Sequence, residues 1–370
     1  MRKRIVVGAC VMLASAGVYA QHSIAEKHPV APYGSASSAR YTFETANGSQ
    51  PIPLDHSRAL LEDLVESRLM NQMVEAVTVE ALYASRKLRA EDVGVALIRV
   101  NPSFNRAPRY GSYNGHQPFL ASGLIRPFVA VAYEKHAQDK GHTARLRAAS
   151  EMFAPLDTRN TNAIIDHITG TRSGPALSPS ALRDFARRRD YVNQVMLGMG
   201  YTNFNVNQKL ITGAATGRDR QLLGRQAPQN FENSNRLTPV QVASMMYLID
   251  QEAVVSRAAS QRIKRAMTQP DFQAREAVLA NIARELPAGS FVMGTNAYTA
   301  SQLHDAAVFT LPNGERYVLV AMTRYDGDPT QFISTLSRIF IRRALKGSGD
   351  LLNIQLPFFA PSAPAAPAGK

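Results

Sequence analysis

The chain has 370 residues, a formal net charge of +13, one cysteine and no tryptophan. A solitary Cys10 excludes an intrachain disulfide and any cysteine-rich metal site. The positive excess favours anionic partners such as lipopolysaccharide, anionic lipid headgroups or acidic polysaccharide, and without a nucleic-acid-binding motif beside it nucleic acid is not an expected partner.

Arg2, Lys3 and Arg4 precede an apolar run from Ile5 to Val18, and Val18-Tyr19-Ala20 then carries a signal-peptidase pattern. The run is shorter than the roughly 20 residues of a membrane span. Cutting at the faint lipobox Val7-Gly8-Ala9-Cys10 would leave most of the run in place. A signal peptide over 1–20, a mature start at Gln21 and a periplasmic or secreted location are therefore expected. Loss of the three leader charges from +13 leaves +10 and no thiol. Residues 21–56, rich in Ser, Ala, Pro and Gly, and the Pro/Ala tail 356–370 read as flexible segments. The folded body is expected over 57–355.

Within the body, residues 58–88 have helical apolar spacing through Leu60, Leu61, Leu64, Leu69 and Met73. Asp92–Asn101 is β-branched and reads as a buried strand, followed by a loop rich in Asn, Gly and Tyr. A helix begins near Ala121 and ends at Gly141, with Pro127 marking a kink or a late first turn. Helical periods fill 145–285. Thr238-Pro239 is an N-cap with proline in the first turn, ahead of Val242, Met245, Met246 and Ile249. His304–Pro312 and Asn313–Thr323 read as a hairpin. The closing helix places Phe332, Leu336, Ile339, Phe340 and Leu345 on one stripe. This order predicts an α/β fold, with an antiparallel sheet flanked by terminal helices and an inserted all-helical lobe over about 123–288.

The order and several segments resemble class A β-lactamases and related penicillin-binding serine hydrolases. Residues 152–166 are similar to the Ser-Asp-Asn loop and its following helix, 224–249 to the Asn-x-x-Thr/Ala-Pro helix start, and 289–323 to the Lys-Thr-Gly strand and its neighbours. The resemblance implies a serine nucleophile with a lysine base at i+3 on one helix face. Two registers are open. An ungapped match puts Gly123 at the nucleophile and Arg126 at the lysine, whereas a shift of one makes Ser122 the candidate nucleophile and puts Ile125 where the base belongs. Glycine has no nucleophile, arginine does not deprotonate at working pH and isoleucine has no proton chemistry. Leu156-Asp157-Thr158 stands for Ser-Asp-Asn, and Val292-Met293-Gly294, followed by Thr295, for Lys-Thr-Gly. Gly123, Arg126, Asp157, Thr158, Gly294 and Thr295 are thus expected to line a cleft. Glu232 falls in the stretch of the class A general base without the family spacing.

Three functions follow as expectations. One is an inactive envelope protein that binds an anionic component or a peptidoglycan-related ligand; a second is a serine hydrolase acting through Ser122; the third is a structural interaction protein whose cleft has no role. Arg126 would either offer a fork to an anion or brace the old site through Asp157. No cofactor or metal is called for. His136, Asp139 and His142 read as solvated helix-end residues, Arg187-Arg188-Arg189 as an exposed face, and Met196, Met199, Met245 and Met246 as core.

Overall fold

The computed structural model describes residues 53–346, except 86–87, 101–106, 145–146, 155–156, 212, 225–232, 269–280, 300–301 and 325–328. The leader 1–20, residues 21–52, the tail 356–370 and Glu232 lie outside the described residues. The fold is α/β.

The amphipathic stretch 58–88 does not form one helix. It divides into α1 (Leu54–Glu62), a two-residue strand β1 (Val65–Glu66) and α2 (Arg68–Ala84). Ser67 is extended and caps α2 by accepting from Met70 N, while Val65 and Glu66 pair in parallel with a neighbouring strand. These local bonds override the helical period. The predicted strand appears as β2 (Val93–Val100). The segment read as a loop contains β3 (Arg109–Tyr113), an antiparallel partner of β2. Its polar, half-buried residues show no apolar alternation. Gly111 in it is required because a Cβ there would sit 2.3 Å from the Met70 carbonyl carbon of α2.

A short β4 (Phe119–Leu120) and a 3-10 turn (Ser122–Ile125) then lead into α3 (Arg126–Asp139), so Pro127 lies in a late first turn rather than at a kink. The helical lobe adds α4 (Arg147–Glu151), α5 (Arg159–Thr169), α6 (Pro179–Arg189), α7 (Tyr191–Gly198) and α8 (Gly217–Leu223). A second short strand, β5 (Arg236–Leu237), pairs with β4. The lobe ends in α9 (Pro239–Asp250), α10 (Arg257–Met267) and α11 (Asn281–Arg284). A reciprocal Thr238–Gln241 capping box starts α9, with Pro239 in its first turn.

Three strands follow, β6 (Phe291–Thr299), β7 (Gln302–Thr310) and β8 (Arg316–Thr323), and then α12 (Pro329–Lys346). The sheet order is β1-β3-β2-β8-β7-β6, which leaves β6 at an edge. Because strand side chains alternate, Val93, Val95 and Leu97 of β2 join the core under α2 and α12, while Ala96, Ile98 and Val100 join the core of the helical lobe. On α12 the buried stripe is Phe332, Ile333, Leu336, Phe340 and Ile341, and Leu345 is exposed. The four methionines read as core are all fully buried in the lobe. No helix among the described residues is long and apolar enough to cross a membrane.

Candidate functional site

A cleft of about 510 Å³ opens between the edge strand β6, the turn before α3 and an irregular loop ahead of α8. It gathers Ser122, Gly123, Arg126 and Thr158 from the residues singled out in the sequence. Ser122 sits at φ 44°, a left-handed backbone that non-glycine residues seldom adopt. Its half-buried hydroxyl makes no hydrogen bond to a described residue. At Gly123 an added Cβ would lie 2.9 Å from the Asn296 carbonyl oxygen, 3.2 Å from Arg126 Cζ and 3.3 Å from Ala297 Cβ. The position thus lacks both a nucleophile and the room for one.

Arg126 is 3% exposed. Its Nη1 donates to Asn296 O at 3.2 Å and its Nη2 to Asp157 O at 2.7 Å. Burial pulls its pKa down to about 10, partly opposed by the Asp157 carboxylate, so it remains a cation at neutral pH. Of the two readings of Arg126, these contacts fit the brace, which runs through the Asp157 backbone carbonyl rather than its carboxylate. The carboxylate turns instead to α5, accepting from Asn160 N at 3.1 Å and Thr161 N at 3.2 Å.

Asp157, Gly294 and Thr295 do not line the cleft as the sequence suggested. Its β6 edge is formed by Asn296, Ala297, Tyr298 and Thr299, because Gly123 and Arg126 meet β6 at Asn296. Thr295 is 2% exposed and faces inward.

Sequence reasoning missed the opposite wall, formed by Gln208, Lys209, Leu210 and Ile211. Side-chain amides hold it in place of regular structure. Asn235 Oδ1 accepts from Asn207 N and Gln208 N, and Asn235 Nδ2 donates to Gln208 O. Asn162 Oδ1 accepts from Leu210 N, and Asn162 Nδ2 donates to Leu210 O, both at 2.8 Å. The density of Asn at 193, 205, 207, 233 and 235 was the available signal. Lys209 is committed to Asp166 Oδ2 at 2.5 Å and Ser173 Oγ at 3.0 Å. Among the described residues no carboxylate and no histidine lines the cleft.

Two buried titratable groups support the site from β7. His304 Nε2 lies 2.8 Å from Leu120 O, and its Nδ1 lies 2.9 Å from Leu303 O and 3.1 Å from Thr323 N, so the ring ties β4 to the sheet. Burial lowers its pKa to about 4. On the other face, Asp305 accepts from Ile282 N at 2.9 Å, and burial raises its pKa to about 7. The signs oppose. His304 contributes stability that is complete above its unfolded pKa of 6.5 and is lost as pH falls toward 4. Asp305 contributes stability that is complete below 3.8 and is lost as pH rises through about 7. The melting temperature of the wild type is expected to drop between pH 6 and 9, and Asp305→Asn to remove most of that drop. Equal slopes in the two proteins would show that Asp305 stays ionised when folded.

The triple arginine also departs from expectation. Arg187 and Arg188 are exposed and pair with Asp184, but Arg189 is fully buried. Its Nε donates to Thr171 Oγ1 at 2.5 Å, and its Nη2 reaches Asp219 at 3.1 Å and Asp166 at 3.5 Å. His136 is half-buried rather than solvated, packed edge-on against His167 and Tyr191.

Residues 181–344 match the sequence model of the beta-lactamase enzyme family, a span that begins beyond Ser122, Arg126 and Asp157. A structure of PBP-A superposes with a TM-score of 0.55 at 18% identity, covering 76% of this chain and 99% of that one. A beta-lactamase from Sphaerobacter thermophilus gives 0.51 at 16%, covering 74% and 96%. One from Burkholderia vietnamiensis gives 0.51 at 13%, covering 74% and 96%. At these identities the likeness establishes the fold. A search of curated proteins returned no match.

Proposed function

We propose that this chain, built on the fold of class A β-lactamases and PBP-A, is an exported, non-catalytic binding protein of the cell envelope. The observation that carries the reading is the state of position 123. Acyl transfer needs a nucleophile, a group to take its proton and donors for the oxyanion. Gly123 supplies no nucleophile, and the Arg126 guanidinium and Asn296 carbonyl fill the space a side chain would need. Export is supported by the charged, apolar leader of residues 1–20.

One observation favours a rival. Ser122 carries the only hydroxyl in the turn before α3, and strained backbone gathers at functional sites. A serine hydrolase acting there would still need a base, and the cleft offers only committed cations.

Labelling decides between them. The mature wild type and Ser122→Ala are incubated with a fluorescent penicillin and a fluorophosphonate, then weighed intact. Both are expected to stay unmodified. Stoichiometric adduct on Ser122 that disappears in the variant would overturn the non-catalytic reading.

A further inference from the structure

The cleft holds polar groups that the protein itself leaves unused. Gln302, on β7, is 6% exposed and lines the cleft, and its side chain makes no hydrogen bond to a described residue. Gln208, on the facing wall, is 4% exposed; its Nε2 donates to Asn207 Oδ1, but its Oε1 is buried without a partner. A buried carboxamide oxygen left unsatisfied costs about 1–3 kcal/mol, so Gln208 Oε1, with the unengaged Gln302 side chain beside it in the cleft, points to a ligand that completes them. Ser122 and Thr158 add hydroxyls without side-chain partners on the floor.

Charge and backbone narrow the ligand's chemistry. Both cations of the cleft are engaged, Lys209 by Asp166 and Arg126 by two carbonyls. Arg126 keeps its charge and an unpartnered Nε, but at 3% exposure it presents little of itself to an anion in the cleft. An extended peptide would add to the β6 edge through outward backbone groups. The outward carbonyl of Asn296 already accepts from Arg126. What remains is a set of neutral donors and acceptors under a rim of exposed Leu120, Ile211 and Tyr298, the last 46% exposed. An aromatic ring at the rim offers an apolar face beside a polar tip. Neutral hydroxyls and amides below such a face suit a pyranose ring.

We propose that the cleft binds a neutral saccharide bearing hydroxyl or acetamido groups, held by Gln302 and Gln208 with Tyr298 at the rim. This rests on the non-catalytic binding reading given above. The mature protein is titrated by calorimetry with triacetylchitotriose, maltotriose, an acetylated and amidated trialanine, and a heparin hexasaccharide. Binding of either neutral sugar is expected. Gln302→Ala and Gln208→Leu are each expected to weaken it about tenfold, the loss of roughly 1.4 kcal/mol, while circular dichroism shows both variants folded. Sugar binding that neither variant affects would overturn the assigned site. Binding of trialanine or heparin that Gln302→Ala weakens would overturn the saccharide assignment and leave the binding reading standing. Binding of none of the four would overturn both. Penicillin adduct on Ser122 alongside sugar binding would overturn the non-catalytic reading alone.

Discussion

Replacing Arg126 by alanine is expected to lower stability by about 2–4 kcal/mol, because a buried and a part-buried carbonyl lose their donor at once. Each unpaired carbonyl costs about 1–3 kcal/mol, and the excised side chain leaves a cavity. Relief from burying the cation offsets part of this, since burial already holds its pKa near 10. For a domain of this size each kcal/mol shifts the melting temperature by about 2–4 °C. The drop is then roughly 5–15 °C in a thermal scan. Arg126→Met restores volume but donates nothing, so it should recover only the cavity part. A methionine variant as stable as the wild type would show that the two hydrogen bonds contribute nothing net.

Arg189→Ala should cost more, about 3–5 kcal/mol, the range for breaking a buried ion pair by removing one partner. Arg189 is fully enclosed, and its loss would leave Asp219, itself 6% exposed, as an uncompensated carboxylate. The guanidinium also lies 4.9 Å from the centre of the Phe185 ring. The effect should extend to the cleft, because Asp166 is shared between Arg189 and Lys209. Urea denaturation checks the first part. Hydrogen exchange at residues 208–211 checks the second, and unchanged protection there would uncouple the wall from the buried arginine.

How far the sequence carried depended on the kind of bond that makes each element. The strands β2, β7 and β8 were legible because both faces are buried and their apolar runs are long. The start of α9 was legible because Thr238, Pro239 and Gln241 carry its cap within four residues. Gly123 and Arg126 were legible through a short continuous match along α3. β3 was not, since a glycine and polar residues supply pairing groups without a hydrophobic period. The wall at 208–211 was not either: its shape comes from Asn162 and Asn235, 48 and 27 residues away in sequence. The β6 edge was placed too early because a strand motif fixes identity but not which residues an inserted helix meets. Arg189 was misread because three arginines in a row share no face of a helix, and the third turns inward.

The grip of Asn162 on Leu210 has a consequence for how such a protein changes over generations. Both bonds are made to the main chain of residue 210, so the wall keeps its course whatever side chain projects from it. Asp157 likewise serves α5 through backbone amides, and Arg126 joins two backbone carbonyls. Architecture is thereby recorded in one set of atoms and reactivity in another. A lineage can discard a reactive group at such a position and still inherit an intact cavity, ready to be turned to another use.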